Sequence, residues 1–376
     1  MMKEKFSLKD QLFNEVSVRK LSDEIYQVSS VFEKEAFYTE VVSAFPQLAL
    51  KERMYHIRDM LSKYLPDAYE EALSVILQAL PGPLDPLKED DDFGNFIYAP
   101  YGEFVVYHGC NLKYLNISLQ ALREITRRFS VEFAIRDFIN YYPEETIAML
   151  KVCASSENYH ERRLASEGSR PKLPWAKKLT IDYKNMVSIL DKLYFDKTRY
   201  VTRSVANHLN DISKIDPILV IATLQRWKTT GKQNGKEMDY MISHALRSLV
   251  KQGNEEALAL LGYKKDPKIA LSELNLHQDE VRLGEALIFD FEIEAKEDCK
   301  LLIDYIIHFR TKSGKASPKV HKIKKLSLKA GECIGVSKKH LFRANMSTRK
   351  LYVGEHKVEL QINGNRYSLG VFNLNI

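Results

Sequence analysis

The run from Tyr159 to Trp175 concentrates side chains that can do chemistry. It holds Arg162, Arg163, Glu167, Arg170, Lys172 and one of the chain's two tryptophans. Gly168 and Pro171 stop a helix there, and Pro174 precedes Trp175. A loop of this composition between helical segments is where a binding site is expected. Lys172 and Pro174 argue that Trp175 is exposed. The alternative is a core anchor that pins the loop, which is the expectation for Trp227 in its apolar helix.

Two polar lines lie further on. Arg199, Arg203, Asn207 and Asp211 are spaced by four, so a helix sets them in one line along its surface. Asp211 adds a carboxylate to that line. His244, Arg247 and Lys251 form a similar line on a later helix. A helical solenoid aligns such lines on its concave surface. The competing reading is an ordinary solvent face with i,i+4 support. Glu132 is another carboxylate. With Ser130 as N-cap it falls in a first helical turn, where the helix dipole favours acids.

A third group is electrostatic. Arg310 to Lys350 contains thirteen Lys/Arg and one acid, Glu332, a balance of +12 in a chain of net charge +6. Lys338, Lys339, Arg343 and Arg349 belong to it, and His340 lies among them. Such a field is the footprint of a phosphate backbone. Edge-strand protection by lysine explains one or two of these residues, not thirteen. An anionic membrane or another polyanion is the remaining alternative.

The elements that position these groups fall into two textures. Residues up to about 264 read as helices. Met54, Ile57, Leu61 and Tyr64 share one face, as do Leu115, Leu119, Leu122, Ile125 and Phe129, and Val201, Val205, Leu209 and Ile212. Short connections with proline suggest a HEAT-like solenoid, with repeats too degenerate to fix a period. The acidic residues 88–92 read as a solvated loop. After Asp266-Pro267 the pattern alternates, in Leu287 to Glu294, Lys357 to Ile362 and Tyr367 to Phe372. Asn363-Gly364 is a hairpin turn signal. The fold class expected is mainly α: a HEAT-like solenoid over 1–265, then a small Ig-like β-sandwich over 268–376.

Composition bounds the partners. With 376 residues, 45% of them hydrophobic, the chain can bury a sizeable core. The four cysteines are scattered with no zinc spacing, so no metal is expected and a reducing cytoplasm fits. No apolar run approaches a membrane span.

The motifs carry a resemblance. Arg162-Arg163-Leu164-Ala165-Ser166-Glu167-Gly168, followed by Arg170-Pro171 and Leu173-Pro174-Trp175, resembles the signature block of AlkC-type DNA glycosylases. So do Phe93 to Pro100, Thr126-Arg127-Arg128-Phe129 with Glu132-Phe133-Ala134-Ile135-Arg136, Ser204 to Asp211, His244 to Arg247, Ala257 to Tyr263, and Lys338-Lys339-His340 with Phe342-Arg343. The matches run from about residue 90 to the C-terminus, and the order resembles the longer AlkC form, HEAT-like repeats followed by an Ig-like domain. Asp137 departs from the pattern, which has proline there.

The resemblance implies an activity: hydrolysis of the N-glycosidic bond of cationic bases, chiefly N3-methyladenine and N3-methylcytosine, in duplex DNA and without base flipping. That reaction needs no cofactor; the expected partner is double-stranded DNA, with no membrane and a monomer as the acting species. The resemblance makes Glu132 the catalytic carboxylate, beside a deoxyribose that becomes oxocarbenium-like. It sets Trp175 against the lesion nucleotide, where an aromatic face favours a developing cation. Glu167 and Arg170 then shape the site or hold phosphate, and Asp211 is a second catalytic candidate. The competing function is a non-catalytic helical-repeat adaptor, binding DNA or protein. A DNA-binding relative without activity is the third.

Overall fold

The computed structural model describes residues 7–85, 87, 93–344 and 349–375. The acidic run at 88–92 lies outside them. The chain forms two compact units: Met1–Ile215 with Trp227–Ala245, and Asp216–Arg226 with Leu246–Ile376.

Amphipathic repeats build the first unit. Its helices are α1 (Leu8–Leu12), α2 (Glu15–Val28), α3 (Lys34–Ala44), α4 (Leu50–Tyr64), α5 (Tyr69–Ala79), α6 (Ala99–Gly109), α7 (Leu115–Thr126), α8 (Ile135–Tyr141), α9 (Pro143–Cys153), α10 (Tyr159–Glu167), α11 (Lys184–Leu193) and α12 (Arg199–Ile212). After α13 (Pro217–Thr230), which spans both segments of the division, comes α14 (Gly235–Ala245). Consecutive helices pack as pairs: α2 on α3, α6 on α7, α8 on α9. Across pairs, α10 packs on α12 and α12 on α14. The expected apolar faces are buried; Ile57, Leu61, Leu122, Ile125, Val201 and Val205 are all sealed from solvent. Each such side chain contributes about 1.5–3 kcal/mol when moved out of water. Trp227 is a core residue, as expected, stacked on Tyr194 with its Nε1–H donated to Asp191 Oδ1 at 2.6 Å.

The line drawn through His244, Arg247 and Lys251 is corrected. The helix breaks at Leu246 (φ −88°, ψ 0°), which is buried, so His244 lies in the last turn of α14 while Arg247 and Lys251 lie on α15 (Arg247–Lys251). This short helix and α16 (Glu255–Leu260) belong to the second unit.

The second unit carries the alternating strands: β1 (Ile269–Leu271), β2 (Asn275–Leu276), β3 (Glu280–Arg282), β4 (Ala286–Ala295), β5 (Cys299–Arg310), β6 (Ala316–Leu328), β7 (Cys333–Leu341), β8 (Gly354–Ile362) and β9 (Asn365–Asn375). One sheet centres on β4, with β7 along one side and β1 and β2 along the other; the second runs β3-β9-β8-β5-β6. Leu287, Phe289, Phe291 and Ile293 alternate inward from β4 onto Leu301, Ile303 and Ile307 of β5. The hairpin turn falls at Asn363 (φ 46°) and Gly364 (φ 86°), two left-handed residues as a tight turn requires. Asn363 is buried and donates Nδ2 to the carbonyls of Lys264 (2.8 Å) and Lys300 (3.0 Å). Gly364 meets Gly253 so closely that a Cβ on either would strike the other's backbone at 2.8 Å. The turn after α15 is thereby seated on the β8–β9 hairpin.

β6 and β7 are edge strands, and they hold much of the basic block. Lys319, Lys322, Lys324, Lys325 and Lys339 are exposed. Pro318 is tolerated because β6 is an edge.

Asp304 of β5 is buried, and burial raises its carboxyl to about 6, against the partial opposition of Lys322 and Lys251. A folded-state value above the unfolded one means that stability is fullest below about pH 4 for this group and is lost as pH rises through about 6. Asp304→Asn should therefore flatten the decline in melting temperature between pH 4 and pH 7 and add about 1–3 kcal/mol at pH 8. Thermal denaturation across that range checks it; an unchanged pH profile would refute it.

Candidate active site

Five charged side chains alternate in sign through the interior of the first unit. Glu132 Oε2 accepts from Arg163 Nη1 at 2.6 Å. Arg163 Nη2 faces Glu167 Oε1 at 3.9 Å, one helical turn along α10. Glu167 Oε1 accepts from Arg170 Nη1 at 2.5 Å, and Arg170 Nε donates to Asp211 Oδ2 at 3.0 Å. Hydroxyls complete the set: Ser130 Oγ donates to Glu132 Oε2, and Ser204 Oγ donates to Glu167 Oε2 at 2.6 Å. Charges this deep are tolerated only when paired and hydrogen-bonded. Burial alone would raise the Glu167 carboxyl; Arg163, Arg170 and Ser204 outweigh it and hold it below its ordinary value. Burial likewise opposes the charge on Arg163, but Glu132 and Glu167 raise it. Arg163 also lies over the rings of Tyr200 (4.5 Å) and Phe93 (5.3 Å), which fix its plane.

The three acids differ in access. Asp211 is 2% exposed, and both its oxygens are engaged: Oδ2 by Arg170 and the Lys172 N–H, Oδ1 by Lys214 Nζ at 3.4 Å. The expectation that it continues a surface line is corrected; residues 170–172 lie over that end of α12 and take its carboxylate inside. Glu167 is buried against Arg170 and Ser204. Glu132 has a side chain 15% exposed, and among the described residues its Oε1 has no hydrogen-bond partner. Its local structure is also corrected. Ser130 does not cap α8, whose N-cap is Ala134. Glu132 sits in the turn before that helix, with Ser130 bonded to its carboxylate instead.

A cleft of about 480 Å³ opens on this end of the ladder. Glu132, Arg163, Glu167 and Arg170 line it, together with Arg203, Asn207 and Trp175. Trp175 is 78% exposed and stands on a left-handed backbone, φ 62°. Such a conformation costs a β-substituted residue about 1 kcal/mol or more, and the surroundings must hold it there. Asn207 Oδ1 is bonded to His244 Nε2 at 2.8 Å, so His244 adjoins the same wall. Arg199, the first residue of the polar line, is paired with Glu237.

Other expected residues lie elsewhere. Arg162 turns to a different surface, bonded to Asp196 Oδ2 at 2.5 Å and to the carbonyls of Ser156 and Glu157. Lys172 lines a neighbouring hollow. In the second unit Lys339 and Arg343 are exposed, Lys338 lies over the Tyr305 ring, and Arg349 lies over Phe309 at 4.1 Å. His340 turns inward: its Nδ1 is 2.7 Å from Tyr305 Oη and its ring meets His321. Burial, then its neighbour His321, pushes His340 down to about 4.

Several lining residues carried no sequence signal of a site, though Met54 was legible as part of an apolar helix face. Leu8, Leu12, Lys51 and Met54 come from the N-terminal helices. Glu103 lines the cleft too, its carboxyl raised by burial and by nearby Asp137. Tyr200 and Ser204 were legible in principle, one turn apart on α12. The Tyr200 hydroxyl is buried with no hydrogen-bond partner among the described residues.

An arginine-clamped carboxylate and an exposed tryptophan thus share one cleft of the helical unit, and a two-sheet sandwich follows in the chain. A family model described as the C-terminal Ig-like domain of the uncharacterised protein YhaZ matches residues 270–376. The uncharacterized protein YhaZ of Bacillus subtilis (strain 168) is 34% identical over 358 residues, 94% of this chain and 96% of that protein. The solved structure of the Pseudomonas fluorescens alkylpurine DNA glycosylase AlkC, bound to DNA containing an abasic site analog, is similar with a TM-score of 0.87 and 31% identity, over 98% of this chain and 100% of that one. The chain belongs to the family of AlkC and YhaZ. No helix among the described residues is long and apolar enough to cross a membrane.

The ladder predicts unequal costs. Asp211→Ala leaves Arg170 Nε and the Lys172 N–H without their acceptor, with Glu167 as the remaining partner of Arg170, and should destabilise the helical unit by about 2–3 kcal/mol. Glu132→Gln, at the open end, should cost no more than about 1.5 kcal/mol. Urea unfolding of the two variants decides; equal losses would remove the distinction.

Proposed function

We propose that this protein is a monofunctional DNA glycosylase that hydrolyses the N-glycosidic bond of cationic alkylated bases, N3-methyladenine and N3-methylcytosine, in duplex DNA. The observation that carries the reading is the pairing of Glu132, with one open carboxylate oxygen, and exposed Trp175 on the walls of one cleft. Membership in a family with a DNA-bound alkylpurine glycosylase supports it. Alkylation at a ring nitrogen makes the base a good leaving group. What remains is to stabilise positive charge on the sugar as the bond breaks. Glu132 supplies the opposite charge and orients the attacking water; Arg163 and Ser130 hold its other oxygen and so fix its direction. Trp175 packs on the deoxyribose, and a duplex whose base stays stacked presents that sugar to an exposed side chain. Glu167, Arg170 and Asp211 act behind Glu132, as the clamp on Arg163 and on the loop.

In this reading residues 1–265 form the glycosylase domain, and Arg203, Asn207 and His244 contact the backbone. Residues 268–376 form a DNA-contacting domain whose phosphate ligands are the exposed edge lysines, Lys339 and Arg343. The protein acts as a monomer in the cytoplasm.

Base release from a duplex carrying one N3-methylcytosine, read by alkali cleavage of the abasic product, tests the activity. Glu132→Gln should lower the rate by the equivalent of about 2.7–4 kcal/mol while leaving DNA affinity nearly intact. Release by neither protein, on this lesion or N3-methyladenine, with tight duplex binding would mark an inactive DNA binder; no release and no binding would mark an adaptor.

The β-unit contact predicts a salt effect. Lys339→Ala with Arg343→Ala should reduce the slope of log affinity against log salt by roughly 0.9 for each phosphate contact removed. An unchanged slope would exclude both residues from the contact.

A further inference from the structure

Arg136, the second residue of α8, is among the largest fully buried side chains of the molecule. Its partners are unusual for a buried guanidinium. Nε donates to the carbonyl of Lys177 at 2.6 Å, and Nη1 donates to the carbonyls of Gly168 (3.0 Å) and Arg170 (2.9 Å). No carboxylate pairs with it among the described residues. Burial, and then the Arg170 charge, pull Arg136 down to about 10.

The three carbonyls lie on both roots of one loop. Gly168 and Arg170 close α10; Lys177 lies two residues beyond Trp175. One guanidinium therefore ties the entry of the tryptophan loop to its exit. Two more residues of α8 reinforce the exit. Asp137 takes Lys177 Nζ at 2.6 Å, and Asn140 donates Nδ2 to the Lys178 carbonyl at 3.0 Å while accepting from Thr180 N. Across the cleft Lys51 Nζ donates to the Trp175 carbonyl at 2.5 Å. Together these hold the left-handed backbone of Trp175. Glu132 lies four residues before Arg136, in the turn that runs into α8 through Ile135 N to Val131 O and Arg136 N to Phe133 O. The segment that carries the carboxylate thus also grips the loop that carries the indole.

We propose that Arg136 is a positioning residue: through the main-chain carbonyls of Gly168, Arg170 and Lys177 it sets the placement of Trp175 relative to Glu132. This rests on the assignment of those two residues to the reaction. Lysine cannot replace it, because a single ammonium does not reproduce the fork that reaches three carbonyls on two strands of a loop.

The test uses the full-length protein with Arg136→Lys, and with Lys51→Met and Asn140→Ala as milder variants at more exposed positions. Three quantities are measured: single-turnover base release from the N3-methylcytosine duplex, affinity for a duplex containing an abasic-site analogue, and acrylamide quenching of tryptophan fluorescence. Trp227 is sealed in the core, so quenching reports Trp175. Arg136→Lys should slow release roughly 10- to 100-fold, as a displacement of about 1 Å can. Affinity should stay within about threefold, and quenching should change. A merely structural role lowers the melting temperature but leaves quenching and the rate of the folded protein unmoved, and that result overturns the proposal. If Arg136→Lys does not fold, the milder variants decide: altered quenching with several-fold slower release supports it, and wild-type behaviour in both overturns it. If wild type releases no base, the glycosylase reading fails by itself, and unaltered quenching in the variants would separately remove Arg136 from control of Trp175.

Discussion

The helical unit depends on an alternating line of buried charge. Glu132, Arg163, Glu167, Arg170 and Asp211 each have an opposite neighbour, so no member is left as an isolated ion in a low-dielectric interior. Three of its four links join different parts of the chain. The turn before α8 meets α10 at Arg163, α10 meets its own following loop at Arg170, and that loop meets α12 at Asp211. Ser204 and the stacked ring of Tyr200 tie α12 back to α10. Helices packed by apolar faces alone can slide by a fraction of a turn. A five-membered charge line cannot, because any slip leaves a donor or acceptor unpaired. The line also has a direction: its inner end is saturated and its outer end, at Glu132, keeps one oxygen for something outside the protein.

Much of this was legible in the residues, and the failures have physical causes. Periodicity found the buried faces of α4, α7 and α12, since apolar residues three and four apart stack on one side of a helix and must be covered. Alternation and Asn363-Gly364 found β4, β8 and β9. The polar line on α12 was read as surface because helical spacing says which residues share a face, not what covers that face. Asp211 lies beneath residues 170–172, a tertiary fact. Ser130 looked like a cap because Ser two residues before Glu fits a capping pattern; its hydroxyl instead serves the carboxylate. The N-terminal helices carried no motif, yet Lys51 and Met54 help to wall the cleft. Arg162 and Arg163 adjoin in sequence, but a helix turns them about 100° apart. One holds the site and the other holds Asp196.

The basic block shows one residue class serving two needs. β6 and β7 are each one edge of their sheets, where unpaired main-chain groups invite another strand. Lysines that discourage such pairing also make a field for phosphate. Behind them His321 and His340, from the two edges, meet with Tyr305. Burial pushes both imidazoles down to about 4, so the strand edges gather charge outside while their inner contact stays neutral.

The contact between Gly253 and Gly364 bears on how such a protein can change by descent. A sandwich whose hairpin turn is pressed to within van der Waals reach of a preceding helical turn is not a freely exchangeable module. The sequence similarity that defines the Ig-like part begins at residue 270, whereas Asn363 and Gln361 donate hydrogen bonds to the carbonyls of Lys264 and Lys251. Shuffling at the similarity boundary would transplant the strands without the collar that completes them. Strands exchanged without α15 and α16 would leave that turn without its seat.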